Sequence, residues 1–164
     1  MSRTFHPPSK WLNILLAILP VIATTILGQI ATAPNLMPWY SSLEKPWFNP
    51  PDWLFAPAWT SLYALMAYAC WRVLRAAPQN NKKTMALTLF FLQLALNAAW
   101  PWMFFALHSP IDGLLNIIPQ WFLILSTIVS FYRLDQKAAF CLIPLCFWVA
   151  FATFLNAAIW FLNR

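Results

Sequence analysis

The sequence is poor in charge. Asp, Glu, Lys and Arg make up only 9% of its 164 residues, whereas hydrophobic residues make up 62%. A soluble domain usually carries about 25% charged residues, so much of this surface is expected not to face water. Glycine is nearly absent, with 2 residues, which excludes collagen-like chains. The aromatic content of 18% excludes intrinsic disorder, and the length favours a single domain over residues 1–164.

Clustered basic residues and metal-binding cysteines are also missing. Despite the net charge of +6, no basic run is longer than Lys82-Lys83, whereas nucleic-acid modules gather cations on one face. The 3 cysteines, Cys70, Cys141 and Cys146, lie in apolar segments without metal-type spacing. We therefore expect small buried thiols, no metal site, no cofactor and no nucleic-acid partner.

What the chain does have is long apolar runs. A helix needs about 20 predominantly apolar residues to cross a bilayer, and lipid tolerates no irregular backbone. The predicted fold is an all-α integral membrane protein, a five-transmembrane-helix bundle. The predicted spans are Trp11–Thr32, Ala56–Ala77, Thr84–Leu107, Gly113–Tyr132 and Ala138–Leu162. The first run is longer than the core of a signal peptide, about 7–15 residues, so it is interpreted as an uncleaved helix.

Lysine and arginine are distributed unevenly between the two sides that five spans create. One side would hold Arg3, Lys10, Arg72, Arg75, Lys82, Lys83, Arg133 and Lys137, and the other only Lys45 and Arg164. Because positively charged loops stay in the cytoplasm, this asymmetry predicts a cytoplasmic N-terminus.

The predicted spans carry neutral polar residues but no deeply placed ionisable residue, which argues against an ion-coupled transporter. The polar residues form stripes at helical spacing. The stripes are Gln93, Asn97 and Trp100 in the third span; Asp112, Asn116, Gln120, Thr127 and Ser130 in the fourth; and Trp148, Ala152, Asn156 and Trp160 in the fifth. Two interpretations remain open, namely hydrogen bonds between helices and polar anchors of a ligand cavity.

The segment Trp39–Trp53, termed here the tryptophan loop, joins the first two spans and is rich in both proline and aromatic residues. The aromatic residues alone could form a belt at the membrane interface. A belt does not require prolines, however, and prolines reduce the entropy lost when a loop becomes ordered. We interpret the loop as a stiff aromatic lid over a pocket.

Four groups of residues stand in a distinctive order along most of the chain. They are Trp39-Tyr40, Leu43, Lys45-Pro46, Pro50-Pro51 and Trp53; then Pro57, Trp59 and Leu62-Tyr63; then Gln93–Asn97, Trp100-Pro101 and Phe104-Phe105; and last Trp148–Thr153, Leu155-Asn156 and Trp160. Together they resemble the TspO/MBR translocator family, the tryptophan-rich sensory proteins.

The resemblance implies a five-helix bundle, commonly a homodimer, with a ligand pocket under the first loop. It implies a membrane sensor, regulator or translocator for porphyrin-type molecules, protoporphyrin IX above all, with sterols or isoquinoline-type drugs as further ligands. An alternative is a light-dependent protoporphyrin-degrading enzyme, with Trp59 as the candidate residue. A third is a passive carrier or membrane scaffold. The residues themselves supply no nucleophile–base pair and no carboxylate dyad, so no catalytic residue is predicted.

By this resemblance, the predicted ligand-binding residues combine the loop with the polar faces of the spans. They are Trp39, Lys45, Trp47, Asn49, Trp53, Trp59, Tyr63, Asn97, Trp100, Asn116, Trp148, Ala152, Leu155 and Asn156. Lys45 has two interpretations, a contact with a ligand carboxylate or an ion pair with Glu44. Neither His6, in the N-terminal tail, nor His108, at a helix end, suits axial ligation of haem.

The chain also departs from the family pattern. The stretch Leu155–Phe161 lacks the tyrosine and arginine of the cholesterol-recognition pattern in animal members. Asn116 stands where many members have aspartate, and Asn49 where animal members have histidine. By this resemblance we expect a bacterial member, surrounded by the lipid of the inner cell membrane.

Overall fold

The computed structural model describes residues 10–76 and 79–164, and all regular structure within them is helical. Five α-helices account for most of it: α1 Lys10–Thr32, α2 Asp52–Ala76, α3 Asn81–Pro101, α4 Pro110–Tyr132 and α5 Gln136–Leu162. A short 3-10 turn, Ala33–Asn35, and a kinked stretch, Leu36–Tyr40, follow α1, and a π-helical turn, Trp102–Ala106, prolongs α3. Arg3, His6 and Ala77, which the sequence analysis used, lie outside the described residues.

Three of the helices begin at a polar side chain that accepts a hydrogen bond from the first turn. Asn80 accepts from the Lys83 N–H at 2.9 Å, Ser109 from Asp112 and Asp135 from Ala138. Such caps satisfy backbone donors that have no partner inside the helix. The three starts therefore lie two or three residues before the predicted spans, which were based on apolar residues.

The helices close into a ring in which α1 packs on α2, α2 on α5, α5 on α4, α4 on α3 and α3 on α1. Their inner faces form one apolar core. Its largest fully buried side chains include Met66, Phe90, Ile124, Phe131 and Leu142. Phe90 of α3 and Phe131 of α4 stack with ring centroids 5.8 Å apart, which fixes the level at which these two helices meet.

The outer faces of the helices are apolar and exposed. Trp11, Phe147 and Phe154 are each more than 70% exposed, and a face of this kind is suited to lipid rather than water. Four helical stretches in the described part of the chain are long and apolar enough to cross a membrane: Lys10–Tyr40, Asn81–Ala106, Pro110–Tyr132 and Gln136–Leu162. The protein is therefore a multi-pass helical membrane protein.

The helix α2 is long enough to cross a membrane, with 25 residues, but it is less apolar than the other four stretches. Its apolarity is reduced by Trp59, Tyr63, Tyr68 and Trp71, whose polar atoms lower the mean hydropathy. The prediction of five helices is thus confirmed, whereas the fifth membrane crossing stays a prediction.

The connections alternate between two ends of the ring. The cationic end carries Lys10, Arg72, Arg75, Lys82, Lys83, Arg133 and Lys137; the aromatic end carries the tryptophan loop, with Lys45, and the final residue Arg164. Among the described residues, most lysines and arginines therefore lie at one end of the bundle, as the sequence predicts.

The cationic end is joined by an ion pair between α2 and the α4–α5 turn. Arg72 donates from Nη2 to Asp135 Oδ2 at 2.8 Å, and its Nε lies 3.1 Å from both carboxylate oxygens. The hydrogen bonds from Arg72 lower the pKa of Asp135, and they outweigh burial, which acts in the opposite direction. Lys83, also buried, donates from Nζ to the carbonyl of Leu74 at 2.7 Å.

Candidate ligand-binding site

An aromatic group from α2 and α5 lies inside the ring. Trp59 stacks on Tyr63 with centroids 5.3 Å apart and meets Trp148 edge to face at 6.3 Å. The Tyr63 hydroxyl donates to Asn97 Oδ1 on α3 at 2.8 Å. Four predicted site residues, Trp59, Tyr63, Asn97 and Trp148, are thereby brought together, and we call them the interior cluster.

A second group, the end cluster, lies nearer the aromatic end. The Trp100 Nε1–H donates to Asn156 Oδ1 at 3.1 Å, and the Asn156 amide donates to the carbonyl of Pro110 at 2.7 Å. Trp100 also stacks on Phe104 with centroids 4.9 Å apart. Leu155 is buried among the same aromatic rings. One asparagine thus connects α3, α4 and α5 at the level where the loop begins to cover the ring.

Gly113 of α4 makes the close packing at the end cluster possible. A Cβ at this position would lie 2.8 Å from Asn156 Oδ1 and 3.0 Å from Phe104. Any larger side chain would therefore have to displace the asparagine or the ring. The other glycine, Gly28, would place its Cβ no closer than 3.5 Å to Pro101, so only Gly113 is required by its neighbours.

The tryptophan loop is seated on the end cluster by its first two residues. Trp39 stacks on His108 with centroids 4.7 Å apart and meets Phe104 at 5.5 Å. Tyr40 meets Phe105 at 5.4 Å. His108 itself is held by a 2.8 Å contact between its Nε2 and Asn35 Oδ1. His108 thus supports the loop. The described residues contain no group of side chains suited to a metal ion.

The middle of the loop is fixed by polar contacts. The Lys45 ammonium lies 4.5 Å from the centroid of the Tyr40 ring, and no ion pair with Glu44 is formed among the described residues. The backbone of Glu44 bonds instead to the side chain of Asn163, at the end of α5, through two hydrogen bonds of 2.9 Å. The structure thus contradicts the ion-pair interpretation of Lys45.

The remaining loop residues of the predicted site stay outside both clusters. Trp47 is 95% exposed and Trp53 is 71% exposed. Asn49 donates from Nδ2 to the Pro50 carbonyl at 3.0 Å, while its Oδ1 is buried without a partner. The structure therefore does not bring these three residues into contact with the interior cluster.

The polar stripes face inward, but their members differ in hydrogen bonding. Asn116 and Gln120 of α4 are buried, as is Gln93 of α3. Neither amide atom of Gln93 has a partner, and Asn116 Oδ1 has none either. Asn97 and Asn156 thus fit the interpretation as contacts between helices, whereas Gln93 and Asn116 offer buried groups that could bind a polar atom. Ala152 is half-buried against the core.

Two grooves lie on the outside of the bundle. One, of about 490 Å³, runs between α1 and α3 and is lined by alanines such as Ala95, Ala98 and Ala99. The other, of about 430 Å³, lies along α3 near Gln79 and Thr84. Beneath the loop, by contrast, Phe104 and Phe105 are almost fully buried by neighbouring rings. The loop therefore closes the ring over these two side chains.

Some residues that build this site are not predicted by the sequence. His108 enters the prediction only as an unsuitable ligand of haem, and Asn163 does not enter it. Phe104 and Phe105 were part of the family pattern but not of the predicted site. Only the aromatic residues gave a signal, through their density after Pro101. The contacts of His108 with Asn35 and of Asn163 with Glu44 join residues that are far apart in sequence. Local sequence patterns therefore do not predict them.

These features define a multi-pass membrane protein whose helices enclose neutral polar and aromatic side chains beneath an aromatic loop. The model of the TspO/MBR family matches residues 16–161, and the chain belongs to this family.

Its relatives cover nearly the whole chain. It is 40% identical to the tryptophan-rich protein TspO of Archaeoglobus fulgidus over 152 residues, 93% of this chain and 97% of the relative. It is 38% identical to the protein of the same name from Chlorobaculum tepidum over 152 residues, 93% and 96% of the two chains. It is also 32% identical to the translocator protein of Sus scrofa over 150 residues, 87% and 89% of the two chains.

Proposed function

We propose that the protein is a membrane sensor or translocator that binds flat hydrophobic molecules of the porphyrin type, with protoporphyrin IX as the first candidate. The names of its relatives, a tryptophan-rich protein and a translocator protein, support the broader role. The chemistry of the site supports the ligand class. Flat aromatic ligands suit tryptophan and tyrosine faces, and a membrane interior favours neutral polar anchors over charged ones.

The observation that carries the proposal is the Trp59–Tyr63–Trp148 arrangement beneath a loop made of further aromatic residues. Trp59 and Tyr63 offer two stacked rings, and Trp148 meets them edge-on. Among the described residues, the Lys45 ammonium contacts the Tyr40 ring and no carboxylate, so it can turn to a ligand carboxylate and form a charge-assisted hydrogen bond.

The test is a titration of the purified protein with protoporphyrin IX, followed by tryptophan fluorescence in the dark. We expect saturable quenching, and a Kd roughly 2- to 10-fold weaker in Trp59→Phe and in Trp39→Phe, because a phenyl ring offers a smaller face than an indole. Trp11→Phe is the matched control, because Trp11 is exposed on α1. The absence of saturation, or an equal effect of all three substitutions, would contradict the proposal.

A second candidate function is light-dependent breakdown of protoporphyrin. It is favoured by the stacking of Trp59 on Tyr63, whose hydroxyl is hydrogen-bonded to Asn97. Trp59 could give one electron to an excited porphyrin, Tyr63 could reduce the resulting tryptophan radical, and dissolved dioxygen would be the oxidant that breaks the porphyrin. The test compares the decay of the porphyrin spectrum in light with protein and with detergent alone. Equal decay would exclude this function.

The third candidate is a passive carrier or a membrane scaffold. A carrier differs from a sensor in flux, and a scaffold differs from a sensor in binding no small ligand. Uptake of protoporphyrin into sealed vesicles with and without the protein separates the two. A carrier accelerates uptake, whereas a sensor binds without doing so.

For the membrane arrangement we propose one domain over residues 1–164, with α2 as the fifth crossing. No charged residue lies between Asp52 and Arg72, and that interval spans about 28 Å at 1.5 Å per residue. The cationic end would face the cytoplasm, with the N-terminus, in a bacterial inner membrane. Labelling of single cysteines placed at Trp47 and at Lys82 with an impermeant reagent would test this. The proposal requires that the two positions react from opposite sides.

We also propose a homodimer in the membrane, formed through the alanine-lined groove between α1 and α3. Small residues let transmembrane helices approach closely, and Ala95, Ala98 and Ala99 lie side by side there. Ala98→Phe should shift the protein to monomers in detergent, measured by light scattering. Ala64→Phe, at an exposed alanine of α2, should not.

A further inference from the structure

The carboxamide of Asn163 connects the last residues of α5 to the middle of the tryptophan loop. Its Oδ1 accepts the Glu44 N–H at 2.9 Å, and its Nδ2 donates to the Glu44 carbonyl at 2.9 Å. Both backbone groups of one loop residue are thus bonded to one side chain, 119 positions away in sequence. No other side chain among the described residues bonds to the backbone of this loop from outside it.

This contact lies between two other contacts of the loop, so its loss affects the middle of the loop. Leu43, directly before Glu44, packs on the end cluster. Lys45, directly after it, lies over Tyr40. Release of the Glu44 backbone therefore loosens the part of the loop that runs from Leu43 to the exposed Trp47. The Asn163 and Glu44 side chains are themselves exposed, and exposed hydrogen bonds contribute modestly to stability, so the contact can open without unfolding the bundle.

We infer that Asn163 is a positioning residue that clamps the tryptophan loop closed and so sets the rate at which a flat ligand reaches the interior cluster. This inference rests on the proposed function for its second part only. The hydrogen bonds between Asn163 and Glu44 can hold the loop whether or not a ligand binds.

A simpler role for Asn163 is to end α5. Its Nδ2 also donates to the Ile159 carbonyl at 2.8 Å, and its backbone N–H bonds to the same oxygen at 3.2 Å. Replacement by alanine keeps the backbone bond and removes only the side chain. The two roles therefore differ in what they predict for the loop, since an end to α5 needs no contact with Glu44.

The first measurement is hydrogen exchange of the loop in the ligand-free protein. In N163A the Glu44 amide and its neighbours should exchange roughly tenfold faster than in the wild type, as expected for the loss of two exposed hydrogen bonds. The matched control is R164A, which removes the neighbouring exposed side chain, whose guanidinium lies over Phe161. Exchange of the loop that is unchanged in N163A, or equally accelerated in R164A, would overturn the clamp.

The variant N163D provides a readout that a purely structural role would not change. An ionised carboxylate can still accept the Glu44 N–H, but it cannot donate, and it faces the Glu44 and Ile159 carbonyl oxygens. Only the protonated form regains a donor, so the protection of the loop should increase as the pH falls from 7 toward 4. The wild type, whose amide does not titrate, should show no such change. A pH-independent N163D would also overturn the clamp.

The second measurement concerns the ligand. Stopped-flow mixing with protoporphyrin IX should show association and dissociation both several-fold faster in N163A, with a smaller change in Kd. If exchange is faster but both rate constants are unchanged, the gating part of the inference is wrong and the clamp stands. If the wild type does not bind the porphyrin at all, the proposed function fails, while the exchange result still decides the clamp.

Discussion

The indole N–H of Trp100 donates to Asn156 Oδ1 over 3.1 Å, and the same asparagine donates to the carbonyl of Pro110 over 2.7 Å. This relationship joins three helices directly beneath the loop. In a membrane, where packing and hydrogen bonds rather than water drive helix association, such a contact determines how the helices are aligned.

Replacing Asn156 by alanine should therefore destabilise the bundle. The substitution leaves the Trp100 N–H and the Pro110 carbonyl without partners, at a cost of about 1–3 kcal/mol. Thermal unfolding in detergent, followed by circular dichroism, measures the change. The control is Asn35→Ala, which removes a contact of 2.8 Å to His108 near the loop without affecting the three-helix junction. An equal loss in both variants would contradict the special role of Asn156.

Gly113→Ala should be destabilising even though alanine is the better helix former. The added Cβ would meet Asn156 and Phe104, and overpacking of this kind costs about 1–3 kcal/mol. Gly28→Ala is the matched substitution, because its Cβ has room. That variant should be neutral or more stable by up to about 1 kcal/mol. Opposite signs of the two changes in Tm are the expected outcome, and equal signs would refute the packing argument.

The ion pair at the cationic end predicts a dependence of stability on pH. Because the pKa of Asp135 is lowered in the folded protein, its contribution is complete above the pKa of the unfolded state, about 3.9. It is lost as the pH falls through the lowered folded pKa. D135N keeps an asparagine cap for α5 but loses the ion pair. The wild type should exceed D135N in Tm at pH 6, and the difference should shrink below pH 4. A constant difference would show that the ion pair is not the cause.

Gln93 and Asn97, one helical turn apart on α3, should respond oppositely to replacement by leucine. Both are buried, but only Asn97 has a protein partner, the Tyr63 hydroxyl. Q93L removes an amide whose atoms have no partner among the described residues, so the stability should be unchanged or higher. N97L leaves the hydroxyl unsatisfied and should lower stability by about 1–3 kcal/mol. A marked loss in Q93L would indicate that its amide binds a water or ligand.

The sequence by itself determined the class of the protein and the number of its helices. Low charge and long apolar runs allow little except helices in lipid. The predicted spans therefore agree with the helices to within a few residues, and the polar stripe of Asn116 and Gln120 does face inward. The ordered tryptophan and proline motifs were enough to indicate the family. These signals lie along the chain itself, because each depends on residues within one helix or one loop, or on the order of such motifs.

Only the tertiary structure decided which of these residues meet. Trp59, Tyr63 and Asn97 come together because α2 and α3 place them at one level, and Trp47 stays exposed although it lies in the same motif as Trp39. The partner of Lys45 is an aromatic ring rather than Glu44. The clamp between Glu44 and Asn163 depends on where the last turn of α5 ends relative to the loop. Contacts between distant residues depend on the depth and rotation of whole helices, which periodicity along one helix does not encode.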